Sequence, residues 1–115
     1  MSRTELEVFI SHENGIDIVM VDGPVDSATI DAFKEKLDPV LNRQGAKVIL
    51  DCQHLTYLNS RAIGLLVKYH RGLMLSRGQM AVCNLNSKLV RTLELLQLGK
   101  ALFIHESREK ALGSM

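Results

Sequence analysis

Apolar runs typical of β-strands alternate with amphipathic helical stretches along nearly the whole of this chain of 115 residues. Runs rich in β-branched residues favour strands, and apolar residues spaced three and four apart favour helices. The predicted strands lie at 6–11, 16–21, 48–50, 80–83 and 102–104. Because a helix between two strands brings them into parallel pairing, the pattern predicts an α/β fold. We expect a mixed central sheet of about four to five strands, with helices stacked mainly on one side.

Turn and cap residues divide the N-terminal half of the chain. Asn14-Gly15 lies between the first two strands and is a hairpin signal. The Asp-Gly-Pro sequence at 22–24 is expected to break the second strand, and Asp26 or Ser27 to cap the first helix. Pro39 lies inside the apolar stripe of that helix, so we expect a kink or break just before it.

The C-terminal half continues with three more helical segments. Apolar spacing over 63–74 predicts a long second helix. Asn86 or Ser87 is expected to start the third helix and Gly99 to end it. A short helix closes the chain, and we expect the tail 113–115 to be frayed.

Length and composition fit one globular domain spanning residues 1–115. Apolar residues make up 46% of the chain and charged residues 23%, close to the values for ordinary soluble domains. The 14 Lys and Arg against 13 Asp and Glu give a net charge of +1, and aromatic residues are few, so we expect no direct binding of nucleic acid. No targeting signal or membrane-spanning run is evident, so we expect a cytoplasmic protein without membrane insertion.

Metal, disulfide and cofactor chemistry are not indicated by the sequence. Cys52 and Cys83 are far apart and lie in or beside β-like runs, which predicts small buried residues in a reducing compartment. The four histidines are scattered without the spacing of a zinc site. We therefore expect no cofactor, no metal and no disulfide.

Polar residues before the second helix allow three interpretations. Asp51, His54 and Ser60 lie within ten positions and could form a Ser-His-Asp arrangement, although such clusters often occur by chance. Ser60 or Asn59 could instead cap the helix. A hydroxyl at a helix start is also a suitable position for a phosphate, because free backbone N–H groups stabilise negative charge there.

The second helix has an apolar arc broader than one contact with a sheet requires. Leu65, Tyr69 and Leu73 lie beside the main stripe and widen it. Deeper burial between a sheet and a neighbouring helix would explain this width, and so would a surface for a partner protein. The sequence leaves both explanations open.

Three parts of the chain match a known family in the family's own order. The matching segments are 21–29, 48–51 with 58–66 (Leu-Asn-Ser-Arg-Ala-Ile-Gly-Leu-Leu), and 93–96 with 102–104. These segments resemble STAS domains of the anti-sigma factor antagonist type. In those domains they correspond to the segment between the second strand and the first helix, the surroundings of the phosphorylated serine, and the third helix with the last strand. The resemblance covers nearly the whole chain and implies a single STAS-like domain.

The resemblance implies a regulatory protein rather than an enzyme. In that family the serine that matches Ser60 is phosphorylated by an anti-sigma factor that is itself a serine/threonine kinase. The unphosphorylated form binds this kinase and frees the sigma factor, and phosphorylation ends the binding. A serine phosphatase acting on the phosphorylated form would be a second partner. The oligomeric state stays open, a weak homodimer included.

The expected partner surface surrounds Ser60, because the loop after the second strand and the loop after the third strand should open at the same edge of the sheet. The predicted partner-binding residues are Asp26, Ser27, Asn59, Arg61, Leu65 and Tyr69. Asn59 stands where the family usually has Asp, and Arg61 where it often has Ser or Thr. Arg61 could pair with a phosphate on Ser60.

A second function is also compatible with the resemblance. STAS domains work as non-phosphorylated parts of transporter and lipid-trafficking assemblies. The alternative prediction is therefore a scaffold or regulatory subunit of a membrane transport or lipid-trafficking complex, whose binding would not depend on Ser60.

Overall fold

The hairpin signal at the N-terminus forms the first pair of strands. In the computed structural model, which describes residues 5–98 and 100–115, β1 spans Glu7–Glu13 and β2 spans Ile16–Val25. The two strands pair antiparallel. Asn14 and Gly15 form the turn with φ values of 54° and 77°, the left-handed conformation that Asn and Gly tolerate best. The predicted hairpin is confirmed.

The remaining elements follow in the predicted alternating order. They are α1 Ile30–Leu41, β3 Lys47–Leu58, α2 Ser60–Leu75, β4 Gln79–Cys83, α3 Ser87–Leu95, β5 Phe103–His105 and α4 Arg108–Gly113. The sheet order is β1-β2-β3-β4-β5, and the neighbours from β2 to β5 pair in parallel. The prediction of one α/β domain with a mixed sheet is confirmed.

Helices α1, α2 and α3 cover one face of the sheet, and α4 covers the other. Phe33, Leu66 and Leu93 bring one helix each into the large core on the first face. On the second face, Ala111 of α4 packs in a smaller cluster that includes Ile18. Helices therefore stack mainly on one side, as predicted, because most of the apolar surface of the helices faces that side of the sheet.

Both central strands run past their predicted ends. The sequence predicts a break of β2 at 22–24 and an end of β3 at Leu50, but β2 continues to Val25 and β3 to Leu58. The parallel register between the two strands continues with two shifts within 20–24. The residues expected to break β2 therefore produce irregularities within the strand and do not end it, because backbone pairing with β3 continues before and after them.

Helix α1 passes through its proline. The sequence predicts a kink or break near Asp38, but α1 is one helix that includes Pro39 and ends at Leu41. Pro39 lies in the last turn and is exposed, whereas Leu37 and Leu41 are buried in the large core. The packing of these leucines outweighs the one backbone hydrogen bond that Pro39 removes.

Helix α3 starts as predicted. Asn86 is the N-cap of α3, and its side chain accepts a hydrogen bond from the first turn. Gly99, expected to end this helix, lies outside the described residues. In the tail expected to fray, Gly113 is the last residue of α4 and Met115 packs against the smaller cluster.

Cys52 and Cys83 are free thiols, and burial raises the pKa of both. Over residues 5–98 and 100–115, no group of three or more His, Cys, Asp or Glu side chains is arranged to hold a metal ion. Among the helices of the same residues, none has the length and apolar character needed to cross a membrane.

Candidate functional site

The surroundings of Ser60 form where β2 and β3 end side by side. Val25 and Leu58 are partners in the parallel register. The backbone N–H of Asn59 donates to the Val25 carbonyl at 3.0 Å. The loop that leads into α1 and the start of α2 are therefore neighbours at one edge of the sheet.

A hydrogen-bonded turn positions the loop before α1. One carboxylate oxygen of Asp26 accepts from the backbone N–H groups of Ala28 at 2.9 Å and Thr29 at 3.1 Å. The Thr29 hydroxyl donates to the Pro24 carbonyl at 2.8 Å. The sequence predicts Asp26 or Ser27 as the N-cap of α1, but the N-cap is Thr29, because Asp26 is used to order the preceding turn. Ser27 is exposed on this turn.

Asn59, and not Ser60, caps α2. The Asn59 side-chain oxygen accepts from the backbone N–H of Ala62 at 2.8 Å. Ser60 is the first helical residue and is exposed. Within the described residues, no hydrogen bond is recorded for its hydroxyl. The capping role therefore falls to Asn59, and the Ser60 hydroxyl is accessible at the positive end of a helix.

A groove opens on the α3 side of Ser60. This apolar groove has a volume of about 350 Å³ and lies between the end of β3, the start of α2 and α3. Its apolar lining residues are Tyr57, Leu58, Ile63, Leu89 and Leu96, with Ser60 and Lys88 among its polar ones. Tyr57 is 48% exposed and Leu96 is 51% exposed, so part of the apolar lining faces solvent.

The sequence does not predict the part that α3 plays at this site. Lys88, Leu89 and Leu96 lie about thirty residues after Ser60, and only the packing of α3 beside α2 brings them close. No sequence pattern marks this role, because Leu96 lies on the same apolar stripe as the buried Leu93, and only the structure shows that Leu96 is 51% exposed.

A second groove lies between α1 and α2. This cationic groove has a volume of about 280 Å³. Its lining residues are Ile30, Asp31, Lys34, Arg61, Gly64, Leu65 and Lys68. Arg61 and Leu65, both predicted as partner contacts, lie on this groove. Arg61 therefore lines the cationic groove, whereas Ser60 lines the apolar groove.

Asp51 is paired with Arg108 of α4, on the opposite face of the sheet from α2. Its carboxylate accepts from Arg108 of α4 at 2.9 and 3.1 Å and from Asn84 at 3.1 Å. Burial raises the pKa of Asp51, but these hydrogen bonds outweigh burial and hold the pKa below its ordinary value of 3.8. His54 is exposed on β3, and Ser60 begins a helix of the other face. The Ser-His-Asp arrangement considered from the sequence is therefore wrong.

Residues 9–111 match the family model of the STAS domain. The chain belongs to the STAS domain family. The family that the sequence segments resemble is thereby confirmed, and the match covers every strand and helix of the STAS domain at least in part.

Relatives of this STAS domain include anti-sigma factor antagonists. The anti-sigma F factor antagonist of Paenibacillus polymyxa is 26% identical over 108 residues, covering 93% of this chain and 92% of the relative. An anti-sigma factor antagonist from Mycobacterium paratuberculosis has a similar structure, with a TM-score of 0.88, 19% identity and coverage of 99% and 97% of the two chains. SpoIIAA of Bacillus in its phosphorylated form gives a TM-score of 0.68, 14% identity and coverage of 94% and 98%. The two structural likenesses confirm the fold.

Tyr69 lies inside this STAS domain and not on its surface. It is 4% exposed, and its hydroxyl donates to the Asp38 carboxylate of α1. Burial and this carboxylate raise the pKa of Tyr69 well above its ordinary value of 10.0. The prediction of Tyr69 as a partner contact is therefore corrected, because α1 covers it. Leu65 is only half-buried and lines the cationic groove.

We expect Tyr69→Phe to lower the free energy of unfolding by about 1.5 kcal/mol, because it removes a hydrogen bond to a carboxylate and keeps the ring. Urea unfolding measures this loss. Tyr57→Phe is the matched control, because Tyr57 is half exposed and should tolerate the change with no loss of stability. Equal effects of the two substitutions would contradict the assigned role of the bond between Tyr69 and Asp38.

Proposed function

We propose that this STAS domain is an anti-sigma factor antagonist that works as a phosphorylation-controlled partner switch. Its unphosphorylated form binds an anti-sigma factor that is a serine/threonine kinase, and so releases the sigma factor. Phosphorylation of Ser60 ends the binding, and a serine phosphatase restores it. The Paenibacillus polymyxa relative is an anti-sigma F factor antagonist, which supports this proposal. The likeness to SpoIIAA in its phosphorylated form supports it as well.

The observation that carries the proposal is the accessible hydroxyl of Ser60. A kinase must reach this oxygen, and a residue used as the helix cap would first have to release its hydrogen bond. Asn59 takes the cap position and leaves the Ser60 hydroxyl exposed. The first turn of α2 also favours the product, because the helix dipole stabilises a phosphate there.

The surroundings of Ser60 explain why a phosphate would end binding. Ser60 lies on the rim of the apolar groove, beside the half-exposed side chains of Tyr57 and Leu96. A partner that packs against these side chains removes water from the rim. A phosphate of about −1.5 to −2 charges would then lose its hydration, which makes the complex unfavourable.

We expect Ser60→Ala to stay bound to the partner. We expect the affinity of Ser60→Asp for the partner to be lower by about tenfold or more, which corresponds to ~1.4 kcal/mol of binding free energy. The measurement is capture from a lysate of the source organism with wild-type, Ser60→Ala and Ser60→Asp baits. The captured proteins are identified by mass spectrometry, and the affinity of the purified partner is then measured by calorimetry. Incubation of the wild type with that partner and ATP should place phosphate on Ser60.

Ser87→Asp is a matched control because Ser87 occupies the same position in α3. It is the first residue of its helix, it is exposed, and Asn86 caps it as Asn59 caps α2. Ser87→Asp should keep the affinity of the wild type and should take no phosphate. Equal capture of the partner by Ser60→Ala and Ser60→Asp would contradict the proposed phosphorylation switch. Capture of one membrane-associated assembly by all baits would favour the scaffold function.

A further inference from the structure

The cationic groove between α1 and α2 has an excess of unpaired positive charge. Lys34, Arg61 and Lys68 are exposed along it, and Asp31 is its one carboxylate. No ion pair is recorded for these three cations within residues 5–98 and 100–115. Three cations against one carboxylate leave about two uncompensated positive charges, which attract an anionic ligand.

The lining of the groove includes two apolar residues, of which Leu65 is partly accessible. Leu65 is half-buried, and Ile30 is buried beneath the charged rim. Gly64 has no side chain, and a Cβ placed there would meet no atom within 4 Å. A bound chain can therefore approach the backbone of α2 closely, with apolar contacts below it and cations on both sides.

The cations are spaced for a short extended chain. Arg61 and Lys68 are seven residues apart on α2, which corresponds to about 10 Å along the helix axis. An extended chain covers this length in about three residues. Lys34 lies across the groove on α1. In an extended chain whose apolar side chains face the groove, the alternating acidic side chains point outward, toward the exposed cations along the rim.

We propose that the cationic groove binds a short acidic segment of a partner protein, in which apolar residues alternate with Asp or Glu. The groove has no aromatic residue on which a base could stack, and the chain carries a net charge of only +1, so a nucleic acid is a poor fit. This inference depends on the proposed function in one respect only, which is the identity of the partner that supplies the acidic segment.

The groove also connects this segment with the switch. Arg61 follows Ser60 directly, and although the two side chains line different grooves, the exposed guanidinium of Arg61 is the groove cation nearest in the chain to a phosphate on Ser60. The phosphate would repel the acidic segment and compete with it for Arg61. Phosphorylation would thus weaken binding in the cationic groove as well as in the apolar groove.

The test uses a fluorescein-labelled peptide that alternates glutamate with leucine, and fluorescence anisotropy with the purified full chain. We expect the peptide to bind, and its affinity to fall as salt is raised, because exposed charges are screened. Lys34→Glu combined with Lys68→Glu should weaken binding about tenfold, since two attractions become repulsions. The matched control is Lys36→Glu with Arg77→Glu, which reverses two exposed charges that do not line the groove.

A second pair of variants tests position without changing charge. Gly64→Gln places a side chain in the groove and should lower the affinity for the peptide about fivefold or more. Gly72→Gln adds the same side chain at an exposed position of α2 outside the groove and should leave binding unchanged. Thermal unfolding of each variant establishes that all of them are folded.

Four results would overturn the inference. They are no binding of the peptide at millimolar concentration, equal losses in the Lys34/Lys68 and Lys36/Arg77 variants, full binding by Gly64→Gln, and tighter binding of a single-stranded RNA of equal charge. Failure of the switch experiment with Ser60→Asp would leave these results unaffected. The two proposals can therefore fail independently.

Discussion

Arg108→Ala is expected to lower the free energy of unfolding by about 3 kcal/mol, because it leaves a carboxylate buried without its cation. Asp51 is 2% exposed, and two N–H groups of the Arg108 guanidinium donate to one of its oxygens. Asn84 still donates to the other oxygen in the variant, so the domain should remain folded. Urea unfolding at neutral pH measures the loss.

A double-mutant cycle separates the buried charge from the lost packing. Asp51→Asn removes the charge, so the variant Asp51→Asn/Arg108→Ala should be more stable than Arg108→Ala alone. Lys110→Ala is the matched control on α4, because Lys110 and its partner Glu106 are largely exposed. It should cost under about 0.5 kcal/mol. Equal losses in Lys110→Ala and Arg108→Ala would contradict the importance of the buried pair.

Acidification should remove the same stabilisation in the wild type. Burial opposes ionisation, but the hydrogen bonds from Asn84 and Arg108 prevail and hold the folded pKa of Asp51 below its ordinary value of 3.8. The contribution of Asp51 to stability is therefore fully present above the unfolded pKa and is lost as pH falls through the lower folded pKa. The stability difference between wild type and Asp51→Asn should shrink as pH falls below 3.8.

Gly23→Ala is expected to cost roughly 2–4 kcal/mol, because two separate constraints require glycine. Gly23 has a φ of 105°, a conformation that residues with a Cβ rarely adopt. A Cβ at this position would also lie 2.3 Å from the backbone oxygen of Glu5. Gly23 lies just before Val25, so the strain would disturb the strand end that supports Asn59 as well as lower stability.

Gly72→Ala is the control for Gly23→Ala. Gly72 lies in the interior of α2, and a Cβ there would meet no atom within 4 Å. This change should stabilise the domain by about 0.5–1 kcal/mol, because Ala favours a helix over Gly. Thermal unfolding of both variants gives the comparison. A Gly23→Ala domain as stable as the wild type would show that β2 adjusts without strain.

The local features of the fold could be predicted from neighbouring residues. The turn at Asn14-Gly15 follows from two residues that tolerate positive φ, and a cap at Asn59 or Ser60 follows from the preference of short polar side chains for helix starts, with Asn59 chosen in the structure. The position of Ser60 at the beginning of α2 follows from the same junction. These features depend on contacts within a few residues, which a sequence pattern records directly.

Features that depend on distant residues were predicted poorly. The polar stretch at 51–54 continues β3 because β2 pairs with it, and because Arg108 and Asn84 satisfy the buried Asp51. Tyr69 lies on the apolar arc of α2, as predicted, but only the packing of α1 against that arc buries it. Packing of α1 against α2 creates the cationic groove, and packing of α3 beside α2 creates the apolar groove at Ser60.

Local conformational preferences and apolar periodicity act along the chain, so they are sufficient to predict the order of strands and helices, the mixed sheet and the position of Ser60 near the start of α2. The tertiary structure alone decided which polar groups are paired across the sheet and which cations remain unpaired between α1 and α2. These outcomes depend on residues that are far apart in the chain and become neighbours only when the helices pack. Burial and charge pairing are properties of that packing, and no pattern along one element contains them.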